Sequence, residues 1–491
     1  MHLSASNRVF SGMSWSMLAV LASKVFALLS QVILGSLLIK ADFAVYALAA
    51  SIFTLVAPMT EQGVQRLLVV SGSLEETRRR IVIAAYGMAS ISVLALTIAS
   101  YILYTSGRAN EGWVLFAHIP LLWISVSVGL SRARLQRLFA FKELATATTS
   151  GALAKGIVTV CAAVLGAEFY SFVIGLVIGK AIELGAMLRG RAKHSNGATE
   201  PVPWTVDAAL NERILLPAIW ILFGALFTAL ANNADYLILG LFGLSDVLAA
   251  YYFGYQMVAA ASTVLVASIA TVFLPTFVSM SGRDKPKALL QAIETAVLVA
   301  SPIFAVGALV AHDIFGLLWG EKWLDAAPVV ICMFLALCSR IADPLVRAFM
   351  ESNKNWGRQA GLLAVDAIGF ATTAWLLCEF YGSGLTVAFF AMWVGVYRFG
   401  FGCVLIMYGV VICGKLPIRS LATLVYIYLL LAISIFGLLY AANALDISWV
   451  VSLAFVVLWG FVACSIPAFR SRYRLLFAAV HGKIVARKNA V

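Results

Sequence analysis

The chain has 491 residues, of which 62% are hydrophobic and only 12% charged, and its mean hydropathy is +0.97. An ordinary soluble chain carries about twice that share of charge, so a water-soluble domain is excluded. The net charge of +12 lies mostly in loops and tail, which makes it a topology signal and not a sign of nucleic acid as a partner.

The first apolar run opens near Phe10 and lasts to Ile39. It is too long for a signal-peptide core and lacks a small-residue cleavage site, so it reads as a retained first span. Runs long enough to cross a bilayer recur to the end, without alternating strand patterns. Spans are expected at 12–39, 43–65, 81–105, 113–131, 144–165, 169–189, 214–241, 247–279, 289–318, 326–350, 360–380, 385–413, 420–442 and 448–468, about fourteen helices of an all-α polytopic membrane protein.

Loop charge orients them. Arg78, Arg79 and Arg80, then Arg132, Arg134, Arg137 and Lys142, and every second loop thereafter fall on one side, ending in the tail with Arg470, Arg472 and Arg474. The other side has only Lys40, Arg108 and Lys322. Lys and Arg collect on the cytoplasmic side, so both termini are expected there.

The longest internal polar stretch, RGRAKHSNGATEPVPWTVDAALNER, separates six spans from eight. A shift of 205 residues across it places Ile33, Leu34, Gly35, Ala44 and Tyr46 on identical residues at 238, 239, 240, 249 and 251. In both copies a span ends, a short polar turn follows, and a new span begins at the tyrosine. The two halves read as parallel repeats related by an axis along the membrane normal. The expected organisation is a six-helix lobe at 1–190, a cytoplasmic linker at 191–213, a second six-helix lobe at 214–415, two further helices at 416–469, and a basic tail at 470–491 that borders the phospholipid bilayer.

Charges inside spans face a cavity or a partner, because facing lipid costs several kcal/mol. Span ten closes as ALCSRIADPLVRAFMESNKNWGR; read as one helix, its spacing puts Arg340, Asp343 and Arg347 on one face. Asp343 neutralises only one arginine. Either the face lines a wet central cavity, or Arg340 pairs with an acid on another helix such as Asp366. Lys24 sits near mid-span with Ser23, Ser30 and Gln31 and no acid within reach on its own helix. It reads as an anion contact, or as the partner of Asp235 in the second half; Asp235 reads equally as a coupling-ion site. Arg398 is a further deep cation. Lys180 and Glu183 are three apart and able to pair on their own helix. Lys155 and Glu294 read as near-interface residues able to snorkel, and His118, just before Pro120, as a donor to a backbone carbonyl freed by the proline. Tyr251, Tyr252, Phe253 and Tyr255 suit sugar stacking or an interfacial aromatic belt.

No Walker A, GxSxG or HExxH motif occurs, no Cys or His spacing suits a metal, and the loops leave no room for a catalytic domain. A transport protein without a cofactor fits better than an enzyme. The first span, GMSWSMLAVLASKVFALLSQVILGSLL, its turn KADFAVYALA, and the second-half copy NADYLILGLFGLSDVLAAYYFGYQM together resemble the polysaccharide-transport flippases. These are the Wzx-like branch of the multidrug/oligosaccharidyl-lipid/polysaccharide exporter (MOP) superfamily.

That resemblance implies a V of two lobes that alternates access around a cationic cavity. The implied cargo is an undecaprenyl-diphosphate-linked oligosaccharide for exopolysaccharide, capsule or O-antigen. Lys24, Arg340, Arg347 and Arg398 become its candidate contacts. Asp235, Asp343 and Asp366 become candidates for coupling to an H+ or Na+ gradient or for intramembrane charge pairing. A polymerase and a chain-length regulator are the implied partners. Lys24 and Arg66 match the basic residues of lipid II flippases only in placement, and span eight offers Gln256 where those relatives are basic, which argues against lipid II. The two extra spans argue against a cation-coupled drug antiporter.

Overall fold

The computed structural model describes residues 5–70, 75–138, 140–195, 210–260, 277, 280, 284–353 and 355–429; the side chains of 5–20, 58–81, 84, 137, 194–195, 210–219 and 221–222 lie outside that description. Most of the linker, the later part of span eight, nearly all of spans thirteen and fourteen, the basic tail and the Arg66 side chain are therefore not described.

The described chain is helical. The first half comprises α1 (Ala5–Leu37), α2 (Lys40–Val70), α3 (Glu75–Thr105), α4 (Ala109–Ala117), α5 (Ile119–Arg137), α6 (Phe141–Val164) and α7 (Tyr170–Ser195). The second comprises α8 (Leu210–Leu241), α9 (245–260), α10 (Lys285–Trp319), α11 (Ala327–Arg340), α12 (Asp343–Ser352), α13 (Trp356–Tyr381) and α14 (Val387–Met407). Eight helical stretches among the described residues are long and apolar enough to cross a membrane. One of them, Lys285–Ser352, has 68 residues, about 100 Å if straight. It turns back at Gly320 and makes two passes.

Glycine makes the tight turns opposite the basic loops. Gly107 (φ 81°) ends the third span of the first half, and Gly320 (φ 59°) does so in the second; a side chain there would be strained. The fourth span of each half is broken by proline, which has no N–H to continue the ladder. Pro120 opens α5 and Pro344 opens α12. At the first break His118 Nδ1 lies 2.7 Å from the Val114 carbonyl, while the His118 amide bonds Leu115 instead.

The break at residues 341 and 342 corrects the expected single helical face. Arg340 is the last residue of α11 and Asp343 the first of α12, so Arg340 leaves the face that Asp343 and Arg347 share.

Both halves are wound alike. α1 packs on α6, and α8 packs on α13, its counterpart; across the halves α2 packs on α8. The repeat is also visible in contacts. Gly35 approaches Phe253 so closely that a Cβ would lie 2.6 Å from its ring, and Gly240 approaches Leu48 with a Cβ 2.5 Å away. The same shift of 205 residues carries one contact onto the other, as a two-fold axis between the halves requires.

Candidate functional site

The halves are sealed to one another at the end away from the basic loops. The last carbonyls of a helix have no partner of their own. Those of α1 are taken by the second half: Trp323 Nε1 donates to Gly35 O (2.8 Å) and Lys322 Nζ to Ser36 O (3.3 Å). Those of α8 are taken by the first half, through Arg108 to Gly240 O and, at 3.0 Å, to Leu241 O. Lys40 pairs with Asp325 at 2.6 Å. The three basic residues found on this charge-poor side are thus the three that bridge the halves. Beneath them Phe43 meets Phe253 and Trp323, and Phe253 stacks on Trp323 with centroids 4.0 Å apart. Phe253 is buried in this contact, Tyr252 packs on Tyr46 of the first half, and Tyr251 is buried within the second half against Asp235, Tyr236 and Phe390. They form neither a sugar platform nor an interfacial belt.

Below the seal, towards the basic-loop end, a cavity of about 270 Å³ lies between α2 and helices α8, α12 and α13. Its wall carries Thr54 from the first half and Thr228, Asn232, Arg347, Gln359 and two tryptophans, Trp220 and Trp356, from the second. Of the four expected cationic contacts, Arg347 lines it.

Each of the three deep arginines of the second half, Arg340, Arg347 and Arg398, lies against an aspartate. Arg340 Nη1 lies 2.9 Å from Asp366 Oδ2, on another helix. Arg347 grips Asp343 with two bonds, 2.6 and 2.8 Å, and reaches Thr228 Oγ1 at 3.3 Å. Arg398 Nη2 lies 3.5 Å from Asp235 Oδ2, donates to Ala231 O at 3.2 Å, and stands 4.2 Å from the centroid of Phe370. Asp235 is fully buried, accepts from Tyr251 Oη at 2.8 Å, and has no contact with Lys24.

The first half is different. Glu183 takes both Arg132 (2.6 Å) and Lys180 (3.1 Å); in the second half Glu294, expected near an interface, is buried. Lys24 sits mid-helix on α1, the helix that packs on α6. Neither Lys24 nor Lys155 has an ion pair among the described residues. Lys155 was set aside in the sequence; its mid-helix position and the lack of any acid within four residues were the signal.

A helical bundle of two similarly wound halves, closed at one end over a polar cavity, is a fold found among solved membrane transporters. Three solved structures share the fold. A lipid II flippase MurJ in an inward closed conformation gives a TM-score of 0.67 at 12% identity, covering 91% of this chain and 98% of that one. The eukaryotic MATE transporter AtDTX14 gives 0.52 at 16% identity over 86% and 99%. A multidrug resistance MATE family transporter of the MOP superfamily, inward-facing, gives 0.51 at 12% over 84% and 95%. No curated protein matches in sequence. The chain belongs to the polysaccharide biosynthesis protein family, which it matches over residues 33–328.

Proposed function

We propose that the protein is a flippase that moves an undecaprenyl-diphosphate-linked oligosaccharide from the cytoplasmic to the periplasmic leaflet of a bacterial inner membrane. The observation that carries this reading is the cavity between the halves, sealed at the charge-poor end and lined by polar and aromatic groups, in a chain of the polysaccharide biosynthesis family. With both termini cytoplasmic, this conformation faces inward. Trp220 and Trp356 offer flat faces to sugar rings; Asn232, Gln359 and Thr228 offer hydrogen bonds to hydroxyls.

A diphosphate in a low-dielectric cavity needs positive charge and donors. Arg340, Arg347 and Arg398 are offset by Asp366, Asp343 and Asp235, so Lys24 takes most of that role. Coupling to H+ or Na+ fits best at Asp235, buried against Tyr251 and Arg398. The two lobes at 1–190 and 214–415 rock about the seal, and the delivered unit passes to a polymerase working with a chain-length regulator.

The test is deletion of the gene followed by analysis of surface polysaccharide and of the lipid-linked pool. Loss of polymer with a complete, inward-facing lipid-linked unit accumulating is the expected result. Complete units on the outer leaflet, left unpolymerised, would move the role to polymerisation. Unchanged polysaccharide with new drug sensitivity would make the chain a drug antiporter.

A further inference from the structure

Lys155 has no role in the reading above, yet its surroundings are those of a binding group. It lies about 14 Å from the nearer end of α6 at 1.5 Å per residue, so it is not at an interface. The apolar exposed stripe of α6 runs through Leu153, Ile157 and Val164, 37%, 54% and 66% exposed. Lys155 is two residues from both Leu153 and Ile157, which at 100° per residue puts it on the opposite side of the helix. It is nevertheless exposed. Its exposure therefore lies on the face turned away from that stripe. Gly179 lets α7 close on the lysine stem, since a Cβ there would lie 2.7 Å from Lys155 Cβ.

The Lys155 ammonium is within electrostatic range of Lys24 and Lys180. Lys180 is held by Glu183; Lys24 and Lys155 are not offset. Two like charges in a low-dielectric interior repel when the space between them is empty and are both satisfied by a doubly charged anion. Unused polar atoms stand nearby: Ser23 Oγ and Gln31 Nε2 flank Lys24 on α1, and Nε2 of the fully buried His118 ring is also without a partner. His118 is itself in electrostatic range of Lys155. A hydroxyl and an amide N–H are donors suited to phosphate oxygens.

We infer that Lys155 is an anion-binding residue which, together with Lys24, takes a lipid-borne phosphate or diphosphate between α1 and α6. This rests on the flippase reading and names where the charged part of the cargo sits.

The experiment titrates the full-length protein in nanodiscs with undecaprenyl diphosphate and, separately, with phosphatidylglycerol. Lys155→Ala and Lys24→Ala are each expected to weaken binding of undecaprenyl diphosphate about tenfold or more, the value of a charge-assisted hydrogen bond. Lys155→Arg should restore most of it, and Arg419→Ala, on the exposed basic side, should change nothing. Lys155→Met keeps the stem and covers the case in which the alanine variant does not fold. A matching loss for phosphatidylglycerol would sustain the site and make its occupant any phosphate-bearing lipid; a loss confined to undecaprenyl diphosphate would make it the diphosphate carrier. Full affinity in both Lys155→Ala and Lys155→Met would overturn the inference and leave the flippase reading standing. Failure of the unaltered protein to bind either lipid would overturn both.

Discussion

The two halves share their winding and treat charge in opposite ways. In the second half Arg340, Arg347 and Arg398 each hold an aspartate, so three deep cations add no net charge. In the first half one carboxylate, Glu183, serves Arg132 and Lys180, while Lys24 and Lys155 are left without one. An internally paired charge is structural: removing one partner strands the other in a medium that cannot solvate it. A charge without a counter-ion inside a span is a candidate binding group. The contrast is between paired deep cations in the second half and two lysines of the first half without an ion pair among the described residues.

The strongest way to break this contrast is at Lys24. Lys24→Ala is expected to abolish polysaccharide export while the protein still inserts and its thermal stability in detergent does not fall; Lys24→Arg should partly restore export. Normal export by the alanine variant would remove Lys24 from the site. At Asp235 the outcome reverses. Asp235→Ala leaves Arg398 buried and uncompensated and should lower stability by about 3–5 kcal/mol, read as an early melting transition.

The Arg340–Asp366 pair sharpens the point. Asp366→Arg alone should be inactive, and combining it with Arg340→Asp should recover export if the pair is structural. Failure of the exchange would instead give Arg340 a direct part in binding.

Two smaller effects test the seal. Gly35→Val and Gly240→Val occupy equivalent places, against Phe253 and Leu48. Both should hold the charge-poor end ajar to a similar degree, read as faster labelling of a cysteine introduced at Phe43. Unequal effects would break the symmetry argument. Lys40→Ala removes a half-exposed ion pair, about 0–1 kcal/mol, and should shift that labelling only slightly.

Much of this was legible in the residues. The apolar runs, the alternation of basic loops and the 205-residue echo at Gly35 and Gly240 follow from local chemistry, because a bilayer forces every span to satisfy its backbone internally. Lys24 stood out because no acid lies within reach on its own helix. The reading failed where it assumed continuity. Span ten reads as one helix although Pro344 breaks it; of the two readings open for Arg340, a wet cavity or a pair with Asp366, the structure shows the pair. Tyr251 and Phe253 suit either sugar stacking or an interfacial belt by sequence position; in the fold Phe253 is covered by the other half and Tyr251 by its own.

The sequence by itself determined that the chain is a bundle of membrane helices, which loops share a side, and that two halves repeat, since each follows from composition and short-range spacing. Only the tertiary structure decided which charges are spent on one another. Asp235 meets Arg398 and Arg340 meets Asp366 across helices 163 and 26 residues apart in the chain, and Lys155 meets no acid among the described residues. Pairing in a bundle is fixed by which faces pack together, and that depends on every side chain along the contact.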